Sequence, residues 1–215
     1  MRVLSLLKKD VYLTKKYLLV ILGIAILFPV FIFYKATPLS GLTSFLITAI
    51  FSVYMALQAV SLSETKYPKA TALLCTTPYL RKNLVIAKYL FFAGIIFIVA
   101  LFYQGIAFVL PEFKFLTINQ FLTALVVESL LLGIYLPLEY KLGYEKMKYL
   151  LMVVVMITPF VLPYIMQWLN SINWDFSFYL NLSNLLRAII CIVITTIVAT
   201  ISIIISVHIF KAKDL

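Results

Sequence analysis

Long runs free of charge constrain this chain more than any other feature. No Asp, Glu, Lys or Arg occurs from residue 89 to residue 110, nor from 188 to 210. A helix that crosses a bilayer takes about 20 such residues. The chain is 64% hydrophobic and 12% charged, where a soluble domain has roughly 45–50% and about 25%. A soluble fold of this size could not hide that much apolar surface. Disorder needs the opposite composition. Two cysteines are too few for a disulfide scaffold. The expected fold class is an all-α membrane protein.

Residues 1–16 are too polar to span. As a helix they group Val3, Leu4, Leu7 and Val11 on one side, with Lys8, Lys9, Asp10, Lys15 and Lys16 mostly elsewhere. That pattern suits an amphipathic helix in the membrane interface; a solvated basic start is the other reading. The apolar run that follows is too long for a signal-peptide core. Six spans are expected, at about 17–34, 42–62, 84–110, 118–138, 149–167 and 185–210, in one transmembrane domain covering 1–215. The third is longer than a bilayer needs, so its start should protrude. The fourth should end near Pro137 and Leu138, before a charged loop at 139–148. Pro159 and Pro163 fall inside the fifth and should kink it.

Six spans put both termini on one side. All but three of the 18 lysines and arginines then collect on that side, the exceptions being Lys35, Lys114 and Arg187. The positive-inside rule makes it the cytoplasm, giving a multi-pass plasma-membrane protein. The Lys-rich, Arg-poor usage points to a bacterial source. The net charge of +10 sits in short segments between apolar runs rather than in a basic groove, which argues against a nucleic-acid partner. Membrane lipid is the expected surrounding partner.

Catalytic chemistry has little to work with. A single histidine, His208, rules out HExxH and multi-histidine metal sites. Cys75 and Cys191 belong to a loop and a membrane helix, so a disulfide between them is implausible. There is no GxxxxGK[ST], so no P-loop hydrolyses nucleotide in this chain. The triplet at 181–183 matches a glycosylation sequon, read here as chance.

Three features at membrane depth stand out. Glu128 is a carboxylate deep in a span, where it should face the bundle rather than lipid. Ala124, Glu128 and Tyr135 share a helix face. Glu128 could line a cavity or couple helix movements; a structural hydrogen bond is the alternative, and the favoured one. Ser44, Thr48 and Ser52 recur every four residues and form a weakly polar seam, suited to close helix packing or to lining a substrate path. Arg187 is near the end of its span, where it can snorkel.

The polar stretch 64–88 is the most informative. Pro68 can start a short helix, residues 70–75 continue it, and Pro78 ends it. Such a helix between spans suits docking of a cytoplasmic partner; the plainer reading is an amphipathic loop on the membrane. Glu64, Leu73, Leu74, Pro78, Arg81 and Lys88 stand at the spacing of a motif common in ABC-2 type permeases, the membrane subunits of a class of ABC exporters. The chain resembles that family along essentially its whole length. It departs at 66–69, Lys-Tyr-Pro-Lys, where a glycine often follows the glutamate.

The resemblance implies a six-helix permease with an N-terminal interfacial helix and a cytoplasmic coupling helix between helices 2 and 3. Two permease copies, as a homo- or heterodimer, would pair with two ABC ATPase subunits. ATP and magnesium would bind those partners, and this chain would hold no cofactor and be no enzyme. Glu64, Leu73, Leu74, Pro78, Arg81 and Lys88 would couple to the ATPase. Ser44, Thr48, Ser52, Glu128, Pro159 and Pro163 are candidates for the translocation path, and a peptide or antimicrobial is a candidate cargo. The competing readings are an ATP-independent secondary transporter or channel, which would want more intramembrane charge or repeats, and a non-transporting immunity or sensor protein.

Overall fold

The structure is a computed structural model that describes residues 2–35, 41–67, 81–110, 113, 115–171 and 183–211. These residues form six helices, α1 (Arg2–Lys35), α2 (Leu42–Lys66), α3 (Arg81–Val109), α4 (Ile118–Leu142), α5 (Tyr144–Ser171) and α6 (Asn184–Lys211). Among the described residues, α1, α2, α3, α4 and α6 are long and apolar enough to cross a membrane, by length and composition. The expected span at 149–167 falls on α5, and the expected coupling helix at 70–75 lies outside the described residues.

Three boundaries differ from expectation. α1 is one helix of 34 residues, with no break near Lys16. Nothing from residue 12 to residue 20 is a glycine or proline, so the backbone has no cause to stop. At about 1.5 Å per residue it is roughly 51 Å long, well beyond a hydrocarbon core of about 30 Å, so part of it projects beyond that core. Its buried face carries Leu6, Asp10, Thr14, Ile21 and Ala25, while Leu4 and Val11 are exposed.

The second difference is that α4 does not end at Pro137 but continues to Leu142. A proline in a helix leaves the carbonyl four residues earlier without its partner. Here that carbonyl belongs to Gly133, and Ser202 Oγ of α6 donates to it at 2.7 Å. Ser202 has one hydroxyl proton, so Tyr89 of α3 donates to Ser202 in their own contact. The helices are close here: a Cβ on Gly133 would lie 3.2 Å from Val198 Cγ1. The proline is thus absorbed by a neighbouring helix.

The third difference follows. Most of the expected loop at 139–148 is helical, and the chain reverses at Gly143, whose φ of 84° costs a glycine little. Its amide donates to Glu139 O at 2.9 Å. α5 starts at the next residue and runs unbroken through Pro159 and Pro163.

α2 is the central helix, in contact with α1, α3, α4 and α5, while α4 packs most extensively on α6. Ala49, Ala56 and Ala59 of α2 are fully buried, and such small side chains let helices approach closely. Leu19, Leu27 and Phe31 of α1 and Ile189, Ile197 and Ile204 of α6 are exposed, as lipid-facing residues should be. At the end opposite the lysine-rich segments, Tyr103 donates to Gly41 O and Asn119 to Asn184. Gln104 clamps both the amide and the carbonyl of Leu116. Thr117 and Gln120 then close a capping box that starts α4.

Candidate functional site

The basic end of the bundle gathers five helices around one buried lysine. Lys88 enters from the first turns of α3 and is 3% exposed. Its Nζ donates to Glu64 Oε2, at the end of α2, at 2.8 Å. Lys9 of α1 approaches the other oxygen of Glu64 at 3.9 Å and holds Asp10 at 3.0 Å. Lys88 Nζ also lies 5.2 Å from the centre of the Tyr140 ring of α4, and that ring packs on Phe210 of α6 at 5.2 Å. Glu139, 7% exposed, adds its field at Lys88. Lys9, Asp10, Glu64, Leu84, Lys88, Tyr140 and Phe210 enclose a small cavity of about 30 Å³.

This geometry has a physical cause. Two carboxylates and two ammonium groups at the margin of an apolar bundle would be costly alone, and pairing offsets that cost. The long stem of Lys88 lies in apolar packing while its head reaches the carboxylate. The pairing also puts the starts of α1 and α3 beside the ends of α2, α4 and α6. α5 joins that end through Tyr144, which donates to Gln58 of α2 at 2.6 Å. The helix ends that carry most of the lysines therefore converge.

Of the six residues in the expected coupling motif, the structure brings together the first and the last, Glu64 and Lys88. Leu73, Leu74 and Pro78 lie outside the described residues, and the Arg81 side chain does too. The resemblance implied an ATPase contact for Glu64; within the chain its partners are Lys88 and Lys9. Asp10 was expected away from the apolar side of the first helix and is instead buried, 2% exposed. Its burial has one sequence signal, the spacing of four that places Leu6, Asp10 and Thr14 on one face.

At mid-depth the arrangement is different. Ala124, Glu128 and Tyr135 are all buried on one face of α4, as their spacing predicted. The favoured hydrogen bond is not there: neither Glu128 Oε1 nor the Tyr135 hydroxyl has a partner among the described residues. Both line a cavity of about 190 Å³ between α2, α4 and α5, with Tyr54, Leu57, Leu132, Leu151 and Val154 among its other walls. Ser44, Thr48 and Ser52 do not line that cavity; they are at most 1% exposed, inside the bundle. Thr48 Oγ1 donates to its own helix at Ser44 O, 2.8 Å away, the habit of a packing residue. Pro159 lies on α5, one residue beyond Thr158, whose hydroxyl donates to Val154 O at 2.8 Å. The Pro163 side chain is outside the described residues. Arg187 donates to Asn184 Oδ1 at 2.6 Å near the start of α6, in keeping with a side chain reaching for the interface.

In the comparison with protein families the chain matches a family described as ABC-2 family transporter protein, over residues 5–211. No curated protein and no solved structure matches the chain.

Proposed function

The chain belongs to the ABC-2 transporter family and is a membrane permease component of an ABC transporter, and from that premise we propose that it is the permease of an ATP-driven exporter. Its partner is an ABC ATPase subunit. The working unit has two permease copies, alike or different, and two ATPases that bind the ATP and magnesium. α5 makes the sixth crossing, since residues 149–161 carry no charge and six crossings return both termini to the side of the lysines. That side is the cytoplasm of a bacterial cell by the positive-inside rule. A carrier or channel that works without ATP, or an immunity protein, draws no support from the family.

One observation carries the coupling scheme. The 2.8 Å pair of Glu64 and Lys88 ties together the two helices that flank residues 68–80, and Lys9 brings in the N-terminal helix. Closure of the ATPases presses on this segment through Leu73 and Leu74, with Pro78 setting its turn and Arg81 anchoring its return at the anionic inner leaflet. The ion cluster passes the displacement to α1, α2 and α3 together. The path between protomers then opens along α2 and α5, with Glu128 at the cavity, Pro159 and Pro163 as the points where α5 can bend, and the Ser44, Thr48, Ser52 seam as the sliding surface.

Co-purification with the cognate ATPase tests this. A Leu73/Leu74 double alanine should insert normally but weaken ATPase association or separate hydrolysis from export, and Glu64→Ala should do the same while also lowering the unfolding midpoint, since it leaves Lys88 without its nearest carboxylate. A charged, hydrogen-bonded contact at such an interface is worth about 2–5 kcal/mol on truncation. Unchanged association and unchanged stimulated hydrolysis in both variants would remove this segment from the coupling role.

A further inference from the structure

The cavity beside Glu128 has walls that are almost wholly apolar, and two of its lining residues, Glu128 and Tyr135, carry buried polar atoms without partners among the described residues. Glu128 is 1% exposed and Tyr135 4%, and Glu128 Oε1 and the Tyr135 hydroxyl both lack a hydrogen bond. Buried polar groups in a folded protein nearly always have partners. A lone carboxylate in a low-dielectric site either takes up a proton or is joined by a cation. Among the described residues that line it there is no lysine or arginine, so these supply no such cation.

The remaining walls say what kind of cation fits. Tyr54 and Tyr135 are both lining residues, and tyrosine rings attract ammonium groups. Leu57, Leu132, Leu151 and Val154 can only take hydrocarbon. About 190 Å³ compares with a cavity of about 150 Å³ that holds a benzene ring. Ile134 and Leu150, also in the wall, are 63% and 48% exposed, so the site is reached from the bilayer side of the bundle.

We infer that this cavity binds a hydrophobic amine: the ammonium pairs with Glu128 beside the two tyrosines, and the apolar body fills the space between α2, α4 and α5. Its role as a cargo site rests on the exporter reading above, whereas the binding itself does not.

Phenethylamine is a probe of the right size and charge, with 2-phenylethanol and 3-phenylpropionate as its neutral and anionic counterparts. The full chain in lipid nanodiscs is dialysed to equilibrium against each labelled compound, with protein-free nanodiscs as the baseline. The amine should bind saturably, and about tenfold or more tighter than the alcohol, with no saturable binding of the anion. Glu128→Gln, which keeps the shape and removes the charge, should weaken amine binding about tenfold or more. Val154→Phe, which fills the cavity and leaves Glu128 in place, should abolish it, and keeps the test open should the first variant fold poorly. Equal binding of amine and alcohol, binding that survives both substitutions, or no saturable binding above protein-free nanodiscs would overturn the inference. An intact ATPase complex without amine binding would remove this site alone; amine binding without ATPase association would instead remove the exporter scheme.

Discussion

At the basic end of the bundle, Glu64 keeps 29% of its side chain exposed and still has Lys88 at 2.8 Å and Lys9 at 3.9 Å. At mid-depth, Glu128 is far more deeply buried and has an oxygen with no partner among the described residues. If burial alone governed pairing, the order would be reversed. A charge that joins helices is given its counter-charge by the chain. A charge that faces a cavity is left for something else to satisfy. Under the two proposals above, the contrast is between a residue that transmits force and one that recognises a ligand, and it can be tested by removing each partner in turn.

The largest effect is expected at Lys88. Lys88→Met removes the cation from between Glu64 and Glu139 and leaves the carboxylates without it. Removing one member of a buried pair costs about 3–5 kcal/mol, so the folded yield in mild detergent and the unfolding midpoint should both fall sharply. Exchanging the charges, with Glu64→Lys and Lys88→Glu together, should recover part of the loss. An unchanged midpoint in Lys88→Met would mean that the cluster holds nothing together, and the contrast with Glu128 would lose one of its sides.

A smaller loss is expected at Ser202, which is a satisfied polar group at the depth of Glu128. Ser202→Ala strips the Gly133 carbonyl of its replacement donor and Tyr89 of its nearer partner, leaving it Ser206 at 3.2 Å. Interhelical hydrogen bonds in membranes are modest, so a loss of about 1 kcal/mol is expected. The cause can be isolated. Pro137→Ala returns an N–H that can bond to Gly133 O within α4, so Ser202→Ala should cost less in that background. Equal cost in both backgrounds would show that the proline and the serine are unrelated.

Much of this was legible in the sequence because lipid allows few solutions. Backbone groups in a bilayer must be satisfied within the helix, so the apolar runs located five crossing helices and the start of α4 closely. The face shared by Ala124, Glu128 and Tyr135 followed from helical spacing alone. Other features depended on contacts between helices that are distant in sequence. Pro137 looked like a stop because the donor that rescues it, Ser202, belongs to α6. Glu64 and Lys88 were both singled out as parts of one motif, yet their pairing shows only when α2 and α3 lie side by side. The missing partner of Glu128 was illegible for the same reason, since it depends on what α2 and α5 place opposite.

The smallest effect carries the sharpest sign. A structural hydrogen bond at Glu128, the reading favoured by sequence, would make Glu128→Leu destabilising. With Oε1 unpartnered, there is no such bond at that atom to lose, and leucine replaces a polar group facing an apolar cavity. Removing an uncompensated polar group from an apolar setting is neutral or favourable. Glu128→Leu should therefore unfold at the same midpoint as the parent chain or slightly above it, a gain of at most about 1 kcal/mol, with Glu128→Gln in between. The same substitution at the basic end, Glu64→Leu, should lower the midpoint, because it leaves Lys88, only 3% exposed, without its nearest carboxylate. Opposite signs for one substitution at two glutamates would establish that the bundle pairs one and reserves the other; a loss at both would place Glu128 among the structural charges.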